Sequence, residues 1–193
     1  MYRFQSWSLS TGVVDLQING EAPVDECEAD TAQTIENKKF DFFLDLCFQE
    51  ATAFSLQKGL WPTATDPSLE RALEPERIKT IKTKVWFLND LRNAPIGSER
   101  TMCIHLYRAS DAAKAVLQAQ FREIFLGHAT PDLQWNKYTL EDLCFFKGKE
   151  LIVGTISHEF ILQVYPPNGA FEQAILPLGA WERLGYPAPA LLT

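Results

Sequence analysis

No stretch of the sequence holds the ~18 consecutive apolar residues that a membrane-spanning helix requires, so no transmembrane helix is expected. The start, Met1-Tyr2-Arg3-Phe4-Gln5-Ser6-Trp7-Ser8, lacks the apolar core and small-residue cleavage site of a secretory signal, and the chain is expected to stay in the cytosol. Cysteine is sparse. Cys27, Cys47, Cys103 and Cys144 lie far apart in 193 residues, which excludes a disulfide-dense scaffold and points to reduced, mostly buried thiols. The ten glycines form neither G-x-G-x-x-G nor G-x-x-x-x-G-K-S/T, so the phosphate-cradling loops are missing. The nucleophile elbow G-x-S-x-G is missing too, because Gly154-Thr155-Ile156-Ser157-His158 has the wrong order and no second glycine. Positive charge is in deficit: 18 Lys plus Arg face 25 Asp plus Glu, for a net charge of -7. Affinity for a phosphate backbone comes largely from Lys and Arg displacing counterions, so nucleic acid is not the expected partner.

What the sequence does have is apolar mass. At 46% hydrophobic and 12% aromatic residues it can bury a core, and a chain of this length removes roughly 70% of its unfolded surface from water. With no convincing linker, residues 1–193 are read as one domain. The net acidity lies entirely in the first 75 residues and is densest at Glu21, Asp25, Glu26, Glu28 and Asp30, which read as an exposed loop.

Periodicity supplies the elements. Val14, Leu16 and Ile18 alternate with polar residues as in a half-buried strand, and with Tyr2 to Leu9 and the turn Ser10-Thr11-Gly12 they predict an N-terminal hairpin. From Ile35 to Lys58, the residues Phe40, Phe43, Leu44, Cys47, Phe48, Ala51 and Phe54 recur at helical spacing, and Gly59 is a plausible stop. Phe42 and Leu46 widen that stripe, which suggests cover on more than one side. Pro75 opens a second predicted helix over 76–92, with Ile78, Ile81, Val85 and Leu88 on one stripe and Lys79, Lys82 and Lys84 mainly off it as a solvated face. Met102 to Tyr107 reads as a strand, and Ser110 as the cap of a third helix running through Phe121, Ile124 and Phe125 to Gly127. Residues 143–146, 151–156 and 160–165 predict a three-stranded antiparallel meander, ended by Pro166-Pro167-Asn168-Gly169, with a short helix at 181–184. Strands and helices are segregated without regular alternation, so the expected fold is α+β, with hairpin and meander in one mainly antiparallel sheet packed by about three helices.

Two histidines sit beside groups that could employ them. His158 precedes Glu159, but the zincin pattern H-E-x-x-H fails because its fifth position is Leu162. What remains is a general acid–base candidate at a turn, able to titrate near neutral pH. Cys103, His105 and Tyr107 share one face of the predicted strand, so Cys103 with His105 is the second catalytic candidate, as a nucleophile pair. No C-x-x-C or spaced His pair supports a metal site, and neither a metal nor a cofactor is expected. Trp61 and Trp135 fall in predicted loops and are candidates for anchoring a partner or lining a pocket, whereas Trp7, Trp86 and Trp181 read as core. No motif identifies a family. The leading expectation is a protein-interaction module, in the manner of an inhibitor or immunity-type protein, in which Asp25, Glu26, Glu28 and Asp30 neutralise a basic protein partner. The alternatives are a small hydrolase-like enzyme using the His/Glu or Cys/His pair, and a small-molecule binding domain with an aromatic pocket.

Overall fold

The computed structural model describes residues 1–4, 35, 37–59, 66–92, 101–126, 139–185 and 187–192. Its centre is an eight-stranded antiparallel sheet. In chain order the strands are β1 (Tyr2–Phe4), β2 (Ala53–Lys58), β3 (Arg77–Thr83), β6 (Met102–Arg108), β7 (Leu140–Lys147), β8 (Glu150–Ile156), β9 (Ile161–Val164) and β10 (Trp181–Arg183). Their spatial order is β10-β1-β9-β8-β7-β2-β6-β3, and the hairpin β4 (Val85–Trp86) with β5 (Asn89–Asp90) stands apart. The helices are α1 (Asn37–Glu50), α2 (Ser68–Leu73), α3 (Asp111–Gln120) and α4 (Gly169–Ile175). The fold is therefore α+β, as expected.

Both faces of the sheet are covered. On one, Phe43, Leu44 and Cys47 of α1, Leu69 of α2, Leu117 of α3 and Phe171 of α4 pack with Phe54, Tyr107, Phe145 and Val153 of the strands. On the other, Met102, Ile104, Cys144, Phe146, Leu151 and Tyr165 form a second cluster with Trp86 of the hairpin and Leu192 of the tail. A sheet covered twice needs apolar residues at consecutive positions, which is why Leu143–Phe146 of β7 and Leu151–Val153 of β8 are unbroken apolar runs. They meet at the turn Lys147-Gly148-Lys149, where Gly148 takes φ 61, a value glycine adopts without penalty. β8 and β9 complete the expected meander through a 3-10 turn at Ser157–Glu159.

Several expectations are corrected. The helix expected over 35–58 ends at Glu50, and residues 53–58 form β2. Phe54 and Leu56 alternate with Ser55 and Gln57, and hydrogen bonding to β6 on one side and β7 on the other overrides the helical spacing. Phe42 stays exposed. The helix expected over 76–92 does not form: Pro75 sits in a single 3-10 turn, and the chain continues as β3 and the β4–β5 hairpin. Four of the seven residues of β3 are Ile or Thr, whose branched side chains suit a pleated surface better than a helix. Helix α3 starts where Ser110 predicts, its Oγ accepting the Ala113 N–H at 3.1 Å, but the backbone turns extended at Phe121, and Phe121, Ile124 and Phe125 fill the core from beyond the helix. Ser110→Ala should cost about 1 kcal/mol, read as a lower urea midpoint at constant slope. Residues 181–183 are strand rather than helix, and the C-terminal helix is α4, capped by Asn168 Oδ1 on the Phe171 N–H at 2.8 Å. β1 is paired on both sides, by β9 and by β10. The rest of the expected N-terminal hairpin, up to Asn19, lies outside the described residues.

Candidate functional site

The expected catalytic residues fall in two places. His105 projects from β6 towards Glu70 of α2, and that carboxylate gathers two cations, one hydroxyl and the imidazole from three strands and the residue before β7. Lys58 Nζ lies 3.2 and 3.3 Å from its two oxygens, Thr139 Oγ1 donates at 3.2 Å, Arg77 NH1 stands at 3.9 Å, and His105 Nε2 at 3.5 Å. Arg77 also pairs with Glu74. The other imidazole nitrogen, Nδ1, is 2.9 Å from Thr80 Oγ1 and 3.5 Å from Arg77 NH1. Arg77 can only donate, so Nδ1 is the acceptor and Nε2 carries the hydrogen turned towards Glu70.

The electrostatics of this cluster have clear signs. Burial lowers the His105 pKa, and the Arg77 and Lys58 cations lower it further against the pull of Glu70, so the ring is held neutral. Burial alone would raise the Glu70 carboxyl, but the Lys58 ammonium, His105 and the Thr139 hydroxyl outweigh it and hold the group below its ordinary value. Tyr107, two residues on along the same strand face, has a buried hydroxyl whose pKa burial pushes up. Cys103 shares that face, yet the partners of the imidazole are Thr80, Arg77 and Glu70, and no hydrogen bond joins it to the thiol. A cleft of about 400 Å³ opens nearby, walled by Pro67, Glu70, Arg71, Glu74 and Arg77. His105 is not part of that wall.

His158 and Glu159 sit in the 3-10 turn after β8, with Nε2 and Oε1 3.8 Å apart. Strands β7 and β2 stand between β8 and β6, so the two expected pairs do not form one site. The buried carboxylate at this turn is one that the sequence reading missed. Asp142 adopts φ 55 inside β7, accepts the Ser157 N–H at 2.7 Å and the Asn89 amide at 3.5 Å, and donates its own N–H to Ser157 Oγ at 3.3 Å. Burial pushes its pKa up to about 6, against the Ser157 N–H, the Ser157 hydroxyl and the Asn89 amide, which lower it, and with Glu159 adding repulsion. Beside it, burial raises the Cys144 thiol to about 12, and Cys47 is raised for the same reason, so neither is a nucleophile at neutral pH. Among the described residues no cysteine is in a disulfide and no three metal-ligating side chains converge.

A third feature is a surface. Among the described residues β3 is the last strand of the sheet, paired with β6 on one side only. The chain just after it exposes Val85 (37%) and Leu88 (47%), and β3 itself exposes Ile78 (51%) where a bulge interrupts its pairing. These are three of the five large apolar side chains exposed among the described residues. The stripe expected to face the core as a helix is thus partly displayed to solvent from strand and hairpin. Trp86 is buried beneath it, and Trp181 Nε1 donates to the Ile175 carbonyl at 3.0 Å. Asp25, Glu26, Glu28, Asp30, Trp61 and Trp135 lie outside the described residues, as does the aromatic pocket expected from the two tryptophans. The described cleft of about 530 Å³, walled in part by Leu151, Tyr165, Pro167 and Pro187, contains one aromatic ring. Among the described residues no helix is long and apolar enough to cross a membrane. Compared with protein families, curated proteins and solved structures, the chain finds no match.

Proposed function

We propose that the protein is a protein-interaction module working in the cytosol. The observation that carries the reading is the exposure of Val85 and Leu88 on the short β4–β5 hairpin, with Ile78 exposed further back along β3, because large apolar side chains displayed close together mark interaction surfaces. Support also comes from the state of the groups that an enzyme would use. His105 is buried with its pKa lowered, and the Cys144 and Cys47 thiols are held protonated.

The anionic form of this reading keeps Asp25, Glu26, Glu28 and Asp30 as a contact for a basic partner, as in an inhibitor or immunity-type protein. Its support is the distribution of charge. Nine carboxylates and two bases lie outside the described residues, and they account for the whole net charge of -7, so the described body is balanced. A long-range attraction for a basic protein would originate in those segments.

The test is a photo-reactive amino acid placed at Leu88 in the full-length chain, irradiated in lysate of the source cell. A discrete protein adduct that disappears when Ile78→Asp and Val85→Asp are added supports the module. Labelling that is diffuse, or indifferent to those changes, removes this surface from the function. In the same lysate, neutralising the four acidic residues should slow formation of the adduct and flatten its salt dependence if the anionic contact is also used.

A further inference from the structure

We propose that the free edge of β3 accepts an extended, acidic segment of a partner protein as an added strand. The proposal rests on the interaction-module reading and gives that module a partner chemistry.

An edge strand turns the N–H and C=O groups of every second residue outward, and an extended peptide satisfies both kinds of group at once. β3 offers such an edge. The bulge at Ile78 confines regular pairing with β6 to Lys79–Thr83, and among the described residues nothing pairs with the other side. The charge along this edge is one-signed. Arg77, Arg92 and Arg108 are each paired, with Glu74, Asp90 and Glu76. Lys79, Lys82 and Lys84 are exposed, and among the described residues no carboxylate pairs with them. Lys82 stands opposite Cys103 and Lys79 opposite Leu106, positions three apart on each strand that therefore face the two sides of the sheet. A strand laid along β3 therefore meets an ammonium on each of its faces, and carboxylates at cross-strand positions match them.

The same lysines select against other occupants. A second copy pairing β3 with β3 would bring two lysine-bearing edges together, and charge on the edge is a device by which natural sheets avoid self-association. A nucleic acid would satisfy the ammonium groups but would bring phosphate oxygens up to the outward carbonyls, which need donors.

The test uses a fluorescently labelled, end-blocked peptide of sequence Glu-Val-Glu-Thr-Glu-Val-Glu with the full-length protein. Binding is followed by anisotropy at low and physiological salt, and amide hydrogen exchange locates it. The expected result is binding that is roughly tenfold or more weaker for Lys79→Glu/Lys82→Glu, absent for a peptide N-methylated at alternate amides, and accompanied by slowed exchange within Lys79–Thr83. Lys79→Gln/Lys82→Gln, which removes charge without reversing it, should fall between, and far-ultraviolet circular dichroism checks that both variants fold. Equal binding of the N-methylated peptide, protection confined to other strands, no binding at all, or preference for a single-stranded oligonucleotide of equal charge would each overturn the proposal. If the peptide fails while the adduct at Leu88 persists, strand addition falls and the module stands. If both fail, the module falls with it.

Discussion

Replacing Gly154 by alanine is expected to destabilise the protein by about 2–3 kcal/mol, although alanine in mid-strand ordinarily gains stability over glycine. A Cβ at this position would lie 2.7, 2.8 and 2.9 Å from three carbons at the tip of the Phe87 ring. Those distances are well inside van der Waals contact, so the ring must leave or the strand must shift. The ring has little freedom to leave. Phe87 is held at φ 52 in the turn of the β4–β5 hairpin, and the adjoining Trp86 is buried against Phe146 with ring centroids 5.8 Å apart. Moving Phe87 therefore loosens the cover of the second core. A double-mutant cycle isolates the cause: Phe87→Ala costs stability alone, but in the Gly154→Ala background it should cost at least about 1 kcal/mol less. Urea unfolding at constant slope measures all four corners. A Gly154→Ala midpoint equal to that of the parent would mean that the ring is not seated on this glycine.

Asp142→Asn is expected to stabilise the protein by about 1–3 kcal/mol at pH 7.5, with the gain fading towards pH 4. A carboxyl whose pKa is about 6 in the folded chain and near 3.9 unfolded binds protons more readily when folded. Its contribution therefore improves as pH falls through 6 and is complete only below about 4; at neutral pH its ionised form opposes folding by about 3 kcal/mol. Asparagine keeps an oxygen for the Ser157 N–H, tolerates the left-handed backbone at φ 55, and carries no charge. His105 moves the other way. Burial disfavours its imidazolium, so protonation below about 6.5 weakens the fold. That term is common to parent and variant and cancels in their difference. Denaturant midpoints for the pair between pH 4 and 8 decide the matter, since a difference that does not vary with pH would mean that Asp142 is neutral throughout.

The parts of this fold that could be read from sequence are those whose signal is local. Ser110 capping α3, the β6 alternation and the apolar runs of β7 and β8 each declare themselves within a few residues. Residues 76–92 misled because Ile78, Ile81, Val85 and Leu88 satisfy helical spacing arithmetically, while the branched residues of Arg77–Thr83 carried the opposite and stronger preference. Phe54 continued the stripe of α1 by coincidence of phase, and only pairing with β6 and β7 makes it a strand residue. In the sequence Asn168 reads only as the end of the meander, because its role as a cap depends on a helix too short to show a period. The site was less visible than the fold. Glu70, Arg77 and Thr80 meet His105 from other elements, and Asp142 meets Ser157 across a hairpin. Such meetings leave no linear spacing, although two adjacent carboxylates, Glu141 and Asp142, ahead of an apolar strand were a signal to be weighed.

The position of β1 bears on how the chain can be made. Tyr2 lies opposite Val164 and Arg183, so β1 finds both its neighbours in strands made roughly 160 to 180 residues later. At about 5–20 residues per second, roughly ten to forty seconds separate the appearance of Tyr2 from that of Arg183. Through most of that interval β1 has neither of its partners, because β9 and β10 have not yet been made, and pairing it joins the most distant segments described, the kind of pairing that slows folding most. Synthesis therefore passes through a long stage in which β1 is an unpaired segment, and that stage is where a chaperone has most to protect.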